Sequence, residues 1–259
     1  MGRTIKLLFL FFLYRLVATV VCTGAFMLWN RSPQASQATD DSYVIFSLVV
    51  QVVFAAGLSV HLLLGKYVSL DKIDFRRCKD LRIWAMSFVL IIGMSLWNNF
   101  LSELANLPNT MEAFFEQMMS RPLGIFSTVI MASVMEELLF RGAIQGQLMR
   151  VWKNPLWAIL VSSLLFGVVH GNPAQIPFAC VIGMGLGWVY YKTGSLLPCF
   201  FMHFVNNGSA VLIYWLSGNS EGTLIESFGM EAAIGLAVLG CVLTVLSIWC
   251  INLTTKTLR

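Results

Sequence analysis

Charge is what this sequence has least of. Only 12% of its 259 residues are charged, while 58% are hydrophobic; an ordinary soluble domain carries about twice that charged share. A water-soluble globule cannot be assembled on those terms, and a mean hydropathy of +0.76 points to lipid as the main solvent. Histidine is scarce, with three in the chain, whereas 7 Pro and 20 Gly are ordinary numbers. Collagen-like and low-complexity disordered classes are therefore excluded. The six Cys show no CxxC spacing and five of them sit in apolar runs, so neither a disulfide framework nor a thiolate metal site is indicated. HExxH is missing, so the standard zincin helix is absent, and no GxSxG or Ser/Lys arrangement on adjacent apolar runs suggests a serine nucleophile. A net charge of +4 is no argument for nucleic acid, and none is expected as a partner.

What is abundant is hydrocarbon-compatible chain. Apolar runs appear at roughly 7–29, 43–65, 83–101, 123–140, 156–170, 176–191, 195–216 and 230–251, long enough to cross about 30 Å of hydrocarbon. With the N-terminus in the cytoplasm, fourteen of the 17 Lys and Arg fall in inner segments. Arg31 and Arg121 fall outside, and Arg15 lies within the first run. This is the asymmetry expected of a correct topology. The expectation is an all-α polytopic membrane protein of about eight transmembrane helices, a single integral domain over 1–259 with both termini cytoplasmic. The first run begins like a signal peptide but is too long and is interrupted by Tyr14-Arg15, so it reads as an uncleaved span. Compact length and the lack of a targeting sequence favour a bacterial inner membrane. In loop 102–122, Leu107-Pro108-Asn109 precedes the cluster Met111, Phe114, Phe115, Met118 and Met119, which fits a short helix on the outer interface.

Ionisable groups inside such runs are costly, about 2.5–3.5 kcal/mol each at mid-span by the insertion scale, and are therefore functional candidates. Glu136 and Glu137 stand together in an otherwise lipid-compatible stretch. Adjacent helical residues are about 100° apart, so the two carboxylates are not expected to share one task. Arg141 follows Glu137 by four residues, the favourable order for an ion pair on one face, and Glu136 is left with no sequence-local counter-ion. A purely structural pair at a snorkelling helix end is the competing reading of these two Glu. Two of the three His lie in later runs with a partner at four-residue spacing: Phe166 before His170, and Asn207 after His203. A lone membrane His is more often an interhelical hydrogen-bonding residue than a catalyst, and His61, without a comparable partner, is read that way. Two His and an uncompensated Glu on three different runs are harder to assign to packing. Asn172-Pro173, just beyond His170, suggests a broken helix that could admit a water-filled cavity.

The chemistry open to Glu136, His170, His203 and Asn207 is water activation. Desolvation disfavours the charged form of a carboxylate, which suits a general base that takes a proton from water and returns it to a leaving amine. One imidazole can hold the water, while the second and an amide can hold the oxyanion of a tetrahedral intermediate. Alternatively Glu136, His170 and His203 could ligate a divalent metal such as zinc and leave a fourth position for water. The residues alone leave both open.

In this order, Glu136-Glu137-x-x-x-Arg141, Phe166-x-x-x-His170 and His203-x-x-x-Asn207, joined by the glycine-rich stretch 183–195, resemble the CPBP family: the CAAX proteases and bacteriocin-processing or immunity enzymes, also called the Abi family. The resemblance covers roughly 123–208 and departs from the pattern at no motif position. It implies an eight-helix intramembrane endopeptidase with its catalytic core in helices four to seven. Glu136 would activate water with His170, His203 and Asn207 would form the oxyanion hole, and Glu137, Arg141 and Phe166 would support them. The family is described both as metal-dependent and as a metal-free glutamate-dependent protease. Substrates in keeping with it are prenylated protein tails, signal-peptide remnants or small secreted peptides in the bilayer. The alternative is a non-catalytic membrane partner or bacteriocin-immunity protein that uses the same polar cavity for binding.

Overall fold

The computed structural model describes residues 2–30, 41–217 and 223–257. Arg31 and Arg259, which are among the Lys and Arg of the topology reading, lie outside the described residues. Each of the eight apolar runs is built around a helix: α1 (Gly2–Asn30), α2 (Asp41–Leu64), α3 (Leu81–Ala105), then, after the short outer helix α4 (Glu112–Met119), α5 (Pro122–Trp152), α6 (Pro155–Val168), α7 (Ile176–Thr193), α8 (Leu197–Ser217) and α9 (Met230–Thr257). Among the described residues five helices, at Gly2–Leu28, Val44–Leu64, Leu81–Ala105, Pro122–Trp152 and Met230–Thr255, are long and apolar enough to cross a membrane. The protein is an all-α multi-pass membrane protein. By contrast α6, at 14 residues, is only about 21 Å long.

The helix ends follow local chemistry. Asp80 caps α3 by accepting the Arg82 backbone N–H at 2.9 Å, and Asn106 closes that helix in the left-handed conformation. Asn154 accepts from Leu156 N and Trp157 N with Pro155 at the first turn of α6, so the break between α5 and α6 is encoded within three residues.

Helix α5 is the central post. Every residue of Glu137–Gln145 is buried, and its apolar members Leu138, Leu139, Phe140, Ala143 and Ile144 belong to the main core with Leu58 and Leu62 of α2, Phe166 of α6, Leu186 of α7 and Met202 of α8. Two stretches of α5, Phe126–Ala132 and Glu137–Gln145, are π-helical. Such widened turns are uncommon and occur most often at functional sites, and the Glu136-Glu137 pair sits where the second begins. The short helix expected within 102–122 is present as α4, with its apolar face on the bundle: Met118, Phe114 and Phe115 pack with Val44 and Leu48 of α2.

Candidate active site

The site is assembled from the middle of α5, the end of α6, the start of α7 and the middle of α8. On α5, Arg141 Nη1 donates to Glu137 Oε1 at 2.9 Å, and both side chains are buried to within 1%. The i,i+4 pair read from the spacing therefore forms. Its guanidinium also donates to the Gly183 carbonyl of α7 at 3.3 Å and lies 4.2 Å over the Phe166 ring, so one cation ties α5 to α6 and α7 in a medium that offers no water as substitute.

His203 of α8 lies between the two carboxylates. Its Nδ1–H donates to Glu137 Oε1 at 2.8 Å, and its Nε2 lies 3.7 Å from Glu136 Oε2. The expectation that the two Glu serve separate tasks is thus half right: they stand on different sides, but of the same imidazole. With Nδ1 committed to Glu137, the remaining nitrogen is the one turned to Glu136. The structure also sets His203, rather than His170, against Glu136.

His170 lies in the turn beyond α6 rather than within the helix, and its Nδ1–H donates to the Phe166 carbonyl at 2.8 Å, closing the helix end. The Phe166 ring stands edge-on to His170 at 5.0 Å and to His203 at 5.7 Å. One ring thus contacts both imidazoles. Gly167 lets α7 approach here: a Cβ at that position would collide with Cys180 Sγ and lie 2.6 Å from the Ile176 carbonyl oxygen.

Asn207 is bonded inward. Its Nδ2 donates to the Thr128 carbonyl at 3.0 Å and approaches Ser133 Oγ at 3.4 Å, both on α5. Its Oδ1 accepts from Asn206 Nδ2 at 3.2 Å, and Asn206 Oδ1 accepts from Ser95 Oγ of α3 at 3.3 Å. The amide thereby fastens α8 to the helix that carries Glu136. Asn206, Thr128, Ser133 and Ser95 were not singled out in the sequence; the pair Asn206-Asn207 in an apolar run was the available signal.

A cavity of about 250 Å³ opens on this arrangement, with His170, His203, Asn206 and Asn207 in its wall. Phe115 and Met119 of α4 and Phe178 and Ile182 of α7 supply apolar wall. Glu136 is not in the wall; it stands behind His203, its side chain 17% exposed. This size and mixture suit a short length of extended peptide with one polar group presented to the imidazoles.

The donor set was tested for a metal. Among the described residues no three or more His, Cys, Asp or Glu are grouped so as to hold a metal ion. Each imidazole gives its Nδ1–H to a protein oxygen, which leaves Nε2 as the nitrogen open to a ligand, and Phe166 packs edge-on against both rings. The residues as placed do not fit the three-ligand zinc set Glu136, His170 and His203.

Residues 119–209 match the family model described as type II CAAX prenyl endopeptidase, Rce1-like. The chain is similar to two curated proteins of Bacillus subtilis (strain 168). One, named "Putative membrane peptidase YdiL", is 28% identical over 102 residues, 39% of this chain and 41% of that protein. The other, named "Uncharacterized protein YyaK", is 40% identical over 80 residues, 28% of this chain and 27% of that protein. The matched part of the chain spans less than half the length of these relatives. No solved structure matches the chain. The resemblance read from the motifs is borne out over a segment that encloses all of them, from Glu136 to Asn207.

Proposed function

We propose that this protein is an intramembrane endopeptidase of the CAAX-prenyl-endopeptidase type, hydrolysing a peptide bond through water activated by Glu136. The observation that carries the reading is the placement of His203 Nε2 3.7 Å from Glu136 while Glu137 holds the opposite ring nitrogen. A carboxylate and an oriented imidazole nitrogen beside a cavity in a protein bundle are the parts a water-splitting site needs.

In the proposed reaction a water gives its proton to the Glu136 carboxylate as its oxygen forms a bond to the scissile carbonyl carbon. The negative charge that collects on the carbonyl oxygen is held by the imidazoles of His203 and His170 at the cavity wall. Glu136 then delivers the proton to the amide nitrogen as the C–N bond breaks, leaving a carboxyl end and an amine end. Glu137 and Arg141 keep the His203 ring in orientation, and Asn207 ties α8 to α5 so that Glu136 and His203 keep their separation. Every step uses carboxylate and imidazole directly; a zinc-bound water would need ligands the arrangement does not bring together.

The substrate class in keeping with the apolar wall and the family is a membrane-associated peptide: a prenylated tail, a signal-peptide remnant or a small secreted peptide held in the bilayer. The location we propose is a bacterial inner membrane, with both termini cytoplasmic as the basic-residue asymmetry supports. The test is comparative peptidomics of membranes from cells carrying the wild type and Glu136→Gln. Peptides that disappear in the variant, at equal protein abundance, name substrates and establish catalysis. A phenotype that survives the change would favour the non-catalytic binding or immunity role instead.

A further inference from the structure

Two asparagines noted in the sequence, on either side of unconnected turns, meet in the structure. Asn172 is fully buried; its Nδ2 donates to Asn109 Oδ1 at 2.8 Å, and its Oδ1 accepts from Thr110 N at 3.2 Å and Thr110 Oγ1 at 3.4 Å. Asn109 Oδ1 also accepts from Met111 N, at the entry to α4, at 3.2 Å. The Asn172 carbonyl accepts from Gln175 N at 2.9 Å and Ile176 N at 3.0 Å, starting α7. Local backbone makes this possible. Gly171 turns the chain in the left-handed region at φ 67°, and Pro173 biases Asn172 away from helix. The amide consequently faces the outer loop two residues after His170.

We propose that Asn109 and Asn172 are positioning residues of the same site: together they clasp the outer wall to the turn that holds His170. The wall residues Asn109, Phe115 and Met119 come from the loop and helix at one end of the clasp, and His170 and Gln175 from the turn at the other. The clasp therefore sets the distance between the surface that receives a peptide and the imidazole that meets its carbonyl. Buried amides exchanging bonds with backbone and with one another hold a single geometry, because a partner lost there is not replaced by water. The inference rests on the protease reading, and its test separates the two.

The full chain is expressed as wild type, Asn172→Ala, Asn109→Ala, the double variant and Asn109→Asp. Asp at 109 keeps an acceptor for both Asn172 Nδ2 and Met111 N. The readout is the yield of those membrane peptides that depend on Glu136, at matched protein abundance, together with amide hydrogen exchange of the solubilised protein. Each Ala variant is expected to lower the yield about ten-fold, as the loss of one buried hydrogen bond would. The double variant should lose no more than either single, the signature of residues acting as one unit. Asn109→Asp should lose clearly less than Asn109→Ala, and in the Ala variants exchange should rise over 106–119 while that of α5 stays unchanged. Wild-type yield in the Ala variants, or losses that multiply in the double variant, would overturn the clasp. If Asn172→Ala does not accumulate, the contrast between Ala and Asp at 109 decides the matter. If no peptide depends on Glu136 at all, the protease reading itself has failed, and the clasp falls with it.

Discussion

His203 and Glu137, 66 positions apart in the chain, are joined by a 2.8 Å hydrogen bond between Nδ1 and Oε1. Arg141 donates to that same oxygen at 2.9 Å, so one buried carboxylate serves a cation on its own helix and an imidazole on another. The adjacent Glu136 reaches the far nitrogen of that imidazole with no short bond of its own. Neighbouring carboxylates of identical chemistry thus have different burial and different partners, and substitution should separate them.

Glu137→Gln and Arg141→Ala are each expected to destabilise the folded protein by about 3–5 kcal/mol, because either leaves a buried charge without its partner. Arg141→Lys should also fail, since an ammonium cannot reproduce the fork to Glu137 and Gly183 or the contact with the Phe166 face. Glu136→Gln should change stability by less than about 1 kcal/mol, in line with a part-exposed group without a short hydrogen bond, while removing activity. Thermal unfolding in detergent alongside peptide yield checks both. Equal destabilisation by the two Glu→Gln changes would show that the assigned division of labour is wrong.

Gly167→Ala should cost about 1–3 kcal/mol through overpacking, because its Cβ would collide with Cys180 Sγ and meet the Ile176 carbonyl oxygen at 2.6 Å. Both obstacles belong to α7, so the relief is a shift of α6 against α7 that carries His170 with it. Activity is expected to fall further than the lost folded fraction explains. Peptide yield normalised to folded protein measures that excess.

Cys78 lies in the segment between α2 and α3, buried, with its thiol pushed up to about 11 by burial first and by the nearby Asp80 charge second. Unfolded chain loses the thiol proton near pH 9 while the folded protein retains it. The stability this contributes is therefore complete below pH 9 and is lost as pH rises toward 11. Cys78→Ala should flatten the stability profile in that window and leave the profile near neutrality unchanged in shape. Denaturation followed between pH 7 and 11 is the measurement, and an unchanged slope in the variant would refute it.

Because the two imidazoles and Glu136 are not grouped as metal ligands, purified protein should carry no stoichiometric zinc and keep its activity in chelator. Metal analysis and peptide cleavage with and without chelator test this. Activity lost in chelator and restored by zinc would require a different arrangement of the three residues.

Much of this could be read one residue at a time. Asn154-Pro155 marks the α5–α6 break, and the Glu137–Arg141 spacing marks the ion pair, because capping and i,i+4 contacts depend on the backbone of one segment. The π-helical stretches of α5 could not be read that way. Nor could it be read that Glu136 and Glu137, which point apart, meet one ring, because His203 comes between them from another helix. His170 illustrates a different limit. Its apolar run continues unbroken to residue 170, and only the bond from its Nδ1 to the Phe166 carbonyl shows that the helix has already ended.

The sequence by itself determined the solvent of this protein, the number and order of its apolar runs, the side that carries the cations, and the partner of Glu137 on its own helix. Each follows from composition or from spacings shorter than two turns. Only the tertiary structure decided that His203 rather than His170 lies against Glu136, that Asn207 bonds into α5, and that Asn109 meets Asn172 across 63 positions. Those are distances between helices. They are set by how large side chains such as Phe166 fill the space between them and by how closely small ones such as Gly167 let backbones approach. No periodicity along a single segment carries that information.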